Sequence, residues 1–277
     1  MKITGIIKDA FLFPSKNTGR FAIYLLLAVL MIGFAIGGVL TCLFGLFDDL
    51  NYLMGGIYLL ISMIIGFIIS GYHIKIIKSG IEQSDEVPVF KLFEDFMTGF
   101  ENIIVKLPYL IIPAFLTIIM GYGTNLFGNF TSIIEEVISQ ILNVLFMGGS
   151  TDTAVNAISQ NISNFVGSLS VTITVGLIIF LIFSFIMSMA AARLANTGSL
   201  KEALDIVEPA KDITRIGIPK TVITLVLIFI IIALIEILLL FLFKYFMFIV
   251  FILLIIITPY LFLVSQRALG LLYSEIA

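Results

Sequence analysis

The chain is short of the residues on which most aqueous chemistry depends. Cys42 is its only cysteine, His73 its only histidine, and tryptophan is absent. A single cysteine excludes an intrachain disulfide and a thiolate metal cluster. A single histidine removes most His-based metal sites and catalytic dyads. Charged residues are 12% of 277 positions, about half the share of a soluble domain. The net charge of −3 gives no global attraction to nucleic acid. No P-loop, HExxH, GxSxG, CxxC or dinucleotide glycine fingerprint occurs, so neither an enzymatic activity nor a cofactor is expected.

What the chain does have is apolar length. Hydrophobic residues make up 60% of it, and the mean hydropathy is +1.19. A hydrocarbon core of about 30 Å takes about 20 helical residues. Six stretches qualify: Phe21–Phe47, Tyr52–Ile74, Ile103–Tyr122, Leu169–Ala192, Ile218–Phe241 and Tyr245–Gln266. Their runs are continuously apolar rather than alternating, which predicts helices and excludes a barrel. The fold class expected is therefore an all-α membrane bundle of six transmembrane helices, with the lipid bilayer as its first partner. The tail before the first stretch has no short apolar core with a small-residue cleavage site, so that stretch is expected to be retained.

Charge sets the orientation. Lys2, Lys8, Lys16 and Arg20 precede the first span, and Lys75, Lys78, Lys91 and Lys106 join the second to the third. Arg193, Lys201, Lys211, Arg215 and Lys220 join the fourth to the fifth, and Arg267 follows the sixth. Segments 44–51 and 121–168 hold no Lys or Arg, and on their side only Lys244 is basic. Positive charge stays in the cytoplasm, so both termini are predicted there and the protein in the plasma membrane.

Each pair of spans is preceded by a short amphipathic segment: Ile6–Phe13, Phe90–Ile104 and Ser199–Val207. In the middle one Phe93, Phe96, Met97, Phe100, Ile103 and Ile104 share one face, with Lys91, Glu94, Asp95, Glu101 and Asn102 on the other. Ser199 and Glu202 stand as a capping box. The entry to the fifth span aligns without gaps on the entry to the first, matching Pro14 with Pro209, Lys16 with Lys211 and Arg20 with Arg215. The chain reads as three repeat-like units, 1–80, 81–198 and 199–277, within one integral-membrane domain.

Several strings carry a resemblance: Gly71-Tyr72 through Lys78-Ser79-Gly80 into Pro88 and Phe90, Arg193 through Gly198 into Leu200, and Pro259-Tyr260 through Arg267 to Tyr273. In layout and in these strings the chain resembles an uncharacterised, largely archaeal membrane family, domain-of-unknown-function family four-zero-one-three. The resemblance implies a multi-pass membrane protein and assigns no residue a role.

Few residues stand out as candidate sites. Glu236 is the one acid well inside a span, where a carboxylate costs several kcal/mol, and Lys244 lies two turns beyond it. An intramembrane polar site of Glu236 and Lys244 competes with simple local pairing. His73 reads as an interfacial anchor. Gly33 and Gly37 on the first span, and Ser184 and Ser188 on the fourth, form small-residue faces for helix packing, within the bundle first and between copies second. In the outer segment 121–168, Phe130–Leu145 and Thr153–Val166 are amphipathic without cations, which suits a cover over the bundle mouth or a position flat in the interface. The favoured reading is a non-enzymatic membrane protein with a structural or assembly role. The alternative is a small-solute, lipid or ion permease.

Overall fold

A computed structural model describes residues 1–45, 49–148 and 150–277, and these are helical almost throughout. The helices are α1 (Ile3–Leu12), α2 (Thr18–Phe44), α3 (Asp49–Ile81), α4 (Leu92–Gly123) and α5 (Leu126–Phe146). They continue with α6 (Thr151–Thr197), α7 (Leu200–Leu204), α8 (Val207–Ile216), α9 (Ile218–Phe243) and α10 (Met247–Tyr273). No strand occurs among the described residues. Six helices, α2, α3, α4, α6, α9 and α10, are long and apolar enough to cross a membrane. The bundle is thus all-α with six spans. Leu46 and Phe47, at the end of the first expected span, lie outside the described residues.

The spanning helices carry their apolar side chains outward. In their most apolar windows between 11% and 28% of the residues are buried, so most of that surface faces the solvent. Phe229, Leu234 and Phe248 are all more than half exposed. Water would make such a surface untenable, and lipid makes it neutral.

One amphipathic entry segment and one outer amphipathic stretch are fused to the spans that follow. The entry segment 90–104 is helical from Leu92 and runs into the third span as α4 without a break. The outer stretch 153–166 likewise continues into the fourth span within α6, a single helix of 47 residues. The stretch is therefore part of a spanning helix rather than a separate element. The third entry segment is divided. Ser199 caps α7 by accepting from the Glu202 amide at 3.4 Å, and Asp205 receives the Val207 amide at 3.0 Å to start α8.

The chain forms two compact units, 1–107 with 185–277, and 108–184. In the first, α3 is the spine on which α2 and α10 pack. Close approach depends on glycine at two crossings. A Cβ at Gly71 or Gly99 would run into the backbone of the opposite helix, Asp95 or Phe67, and one at Gly270 would strike the Ile77 carbonyl. A core of Phe13, Tyr24, Ile69, Tyr72, Ile76 and Leu263 closes the end where α2 begins and α3 and α10 finish. We call this the basic end.

In the second unit the residues expected as an outer loop form a helical hairpin. Asn125 takes the left-handed conformation (φ 57°) between α4 and α5. Asn129 then donates to Ser168 Oγ at 3.1 Å and to the Asn164 carbonyl at 3.3 Å, tying α5 to α6. Thr124 and Thr172 hydroxyls meet at 2.7 Å, and the Phe130 and Phe165 rings lie 5.8 Å apart.

Candidate functional site

The basic end of the first unit is organised by three acid–base clasps. Lys75, near the end of α3, meets the fully buried Asp95 of α4 at 2.5 Å. Arg193, near the end of α6, meets the buried Asp212 of α8 at 3.0 Å. Arg267, near the end of α10, meets Asp9 of α1 at 2.8 Å. In the first two, a base ending a span holds the acid of the next membrane-entry helix along the chain. The third closes the series, since the last span holds the first entry helix.

The surroundings of each clasp explain its polarity. Arg267 is 1% exposed, stands 4.1 Å from the centre of the Phe13 ring, and donates to Ser79 Oγ at 3.3 Å. Asp212 also accepts from Tyr273 Oη at 2.9 Å and from Arg215 at 2.8 Å. Burial pushes its carboxyl up, but the hydrogen bonds from Arg193 and Tyr273 outweigh that and hold it below the ordinary carboxylate value. Glu208 is held low by the hydrogen bond from Lys211.

Asp95 and Asn102, on the polar face of the α4 entry, are the residues it packs with. Both are buried against α3, where Asn102 donates to Ser70 Oγ at 2.9 Å. Phe93, Met97, Phe100 and Ile103, which share the apolar face, are exposed. With lipid as solvent, polar and small side chains turn inward and apolar ones outward.

Above this layer lies a crevice of about 580 Å³ bounded by α2, α3 and α10. Its walls are apolar, with Val29, Ile32, Ile36, Phe251, Leu254 and Phe262 among them. Gly33 opens it: no atom lies within 4 Å of where its Cβ would stand. Polar groups gather on Tyr24 and His73, hydrogen-bonded at 2.7 Å, and on Thr258. Pro259 lies inside α10 and has no N–H to give the carbonyl four residues earlier, that of the crevice residue Ile255. The arrangement is chemically suited to a hydrocarbon chain with a weakly polar group near one end.

Gly33 therefore lines open space, and Gly37 has only the Tyr58 ring at 3.9 Å. The tight α2–α3 contact lies one residue on, where Gly38 and Gly55 face each other across backbone. Ser184 donates to the Leu181 carbonyl of its own helix, and both Ser184 and Ser188 are half-buried. Glu236 is half-buried on α9 and Lys244 is exposed just beyond it. Among the described residues no ion pair joins them. Nor does any cluster of three His, Cys, Asp or Glu side chains suited to a metal occur among those residues.

Sequence reasoning passed over Asp9, Asp95, Asp212 and Arg267. Their signal was an acid within each entry helix and a base near the end of each even-numbered span. The crevice that Tyr24 shares with His73 joins helices distant in sequence.

The model of one family, described as protein of unknown function (DUF4013), matches residues 54–264. No curated protein and no solved structure matches the chain.

Proposed function

The chain belongs to this family of unknown function, DUF4013, and from its own geometry we propose that it is a non-enzymatic integral membrane protein that holds a lipid hydrocarbon chain against its bundle. In this reading its role is structural, organising or stabilising an assembly within the plasma membrane, with the basic end in the cytoplasm. The crevice between α2, α3 and α10 carries the proposal. Its volume of about 580 Å³ falls within the range of about 300–1,000 Å³ typical of ligand sites. Its walls suit methylene groups, and a hydroxyl or ester oxygen near the chain's polar end would meet the Tyr24–His73 pair.

Filling the crevice tests this reading. Gly33→Leu places a side chain where the structure has room, so the fold is expected to persist while lipid is displaced. Native mass spectrometry of protein extracted in mild detergent reads lipid retention directly. Equal retention by wild type and Gly33→Leu would refute the proposal. A second reading, a lipid permease, is supported by Glu236, which has no ion pair among the described residues. Lipid scrambling in reconstituted liposomes that is lost in Glu236→Gln would favour that reading over a holding role.

A further inference from the structure

A second, smaller recess lies at the basic end. It has a volume of about 260 Å³ and is bounded by the start of α2, the last two turns of α3 and the segment that follows. Arg20, Lys78, Glu82 and Glu86 all line it. None of the four belongs to an ion pair among the described residues. This contrasts with the neighbouring Lys75, also a lining residue, which is neutralised by Asp95 at 2.5 Å and Glu94 at 3.7 Å. It contrasts too with Lys16 nearby, which holds Asp85 at 2.5 Å. Two cations and two carboxylates thus border one cavity without cancelling one another in pairs.

We infer that this recess binds a zwitterionic group carrying both a phosphate and a primary ammonium, as in a phosphoethanolamine headgroup. A lone anion would gain from Arg20 and Lys78 but be repelled by Glu82 and Glu86, and a lone cation would meet the reverse. A group with both charges satisfies all four. Arginine and lysine donate charge-assisted hydrogen bonds to phosphate oxygens, and the carboxylates accept from the three N–H bonds of an ammonium. At about 260 Å³ the cavity has room for such a group. Its place also fits: Arg20 lies in the first turn of a spanning helix and Lys78 in the last turn of another, the depth at which lipid headgroups sit. The recess shares no lining residue with the crevice, so this inference stands without the crevice reading.

The test uses the full chain, stripped of lipid in detergent and then offered phosphatidylethanolamine, phosphatidylglycerol, phosphatidylcholine or free phosphoethanolamine, with binding read by native mass spectrometry. Wild type is expected to retain phosphatidylethanolamine about ten-fold better than the other two lipids. Arg20→Gln with Lys78→Gln abolishes that preference. Glu82→Gln with Glu86→Gln transfers it to phosphatidylglycerol. Capture of free phosphoethanolamine assigns the site to the soluble group, and capture of the diacyl form alone assigns it to the bilayer lipid. If a double variant fails to purify as a monodisperse helical species, the single changes Lys78→Gln and Glu86→Gln, both at exposed positions, give the same comparison with smaller effects. Equal retention of the three lipids by wild type, or an unchanged preference in the folded variants, overturns the inference.

Discussion

Asp9 and Arg267 are ion-paired at 2.8 Å although 258 positions separate them in the chain. The pair fastens the first helix to the last span, and it does so unevenly. Arg267 is 1% exposed, while the Asp9 side chain is a quarter exposed and has Lys16 at 3.8 Å as a second partner. Removing one member of a buried pair strands the other, at a cost of about 3–5 kcal/mol, whereas replacing both by apolar residues is often close to neutral. Asp9→Leu, which strands the buried Arg267, is therefore expected to destabilise the bundle more than Arg267→Leu, and the double Asp9→Leu/Arg267→Leu less than Asp9→Leu alone. Unfolding in mixed micelles measures this. A double variant as unstable as the sum of its singles would mean that the two residues are not coupled.

The Asp212 clasp predicts an acid limit. Hydrogen bonds hold this carboxyl below its ordinary value in the folded chain, while the unfolded value is about 3.9. A group whose folded value is depressed contributes stability fully above its unfolded value and loses it as pH falls through the folded one. Stability of the detergent-solubilised protein is thus expected to be insensitive to this group from neutrality down to about pH 5. Below about pH 4 it should fall. Asp212→Asn should be less stable at pH 7 and show a shallower acid limb. An unaltered limb in the variant would assign the acid sensitivity elsewhere.

Glycine substitutions separate packing from ligand space. A side chain at Gly71 has nowhere to go, because the Asp95 backbone occupies the position of its Cβ. Gly71→Ala must push α3 and α4 apart, and overpacking of this kind costs about 1–3 kcal/mol or more. Gly33→Ala meets nothing within 4 Å. It should leave stability unchanged or raise it slightly, since alanine is the better helix former by about 1 kcal/mol. Thermal scanning of the two variants in one detergent checks the contrast. Equal loss in both would remove the distinction between a crossing and a crevice.

These contrasts also show what could be read from the chain alone. The six spans were legible because length and continuous apolarity depend only on the sequence. Continuity across span boundaries was not, since nothing local marks that α6 stays helical on both sides of Ser168. The amphipathy of the α4 entry was legible, but not which face packs: Asp95 is 0% exposed and Phe93 75%. Small-residue spacing on α2 pointed to Gly33 and Gly37, but the partner helix decides which glycine matters, and α3 places Gly55 against Gly38. The clasps join residues on different helices, so no spacing within one element announced them.

Orientation is the remaining prediction with a sharp readout. Every Lys and Arg except Lys244 lies in the segments grouped at the basic end by sequence order, and translocating such loops is what the positive-inside bias opposes. The α5–α6 hairpin, which holds no Lys or Arg over 121–168, belongs to the opposite side by the same count, with Ser150 exposed near its tip. Since Cys42 is the only thiol, a Cys42→Ser background gives a clean reporter. In it, Ser150→Cys should react with a membrane-impermeant maleimide on intact cells, and Glu82→Cys only after permeabilisation. The reverse pattern would place the basic end outside. It would also move the recess of Arg20 and Lys78 to the outer leaflet, so one labelling experiment decides which leaflet must supply its ligand.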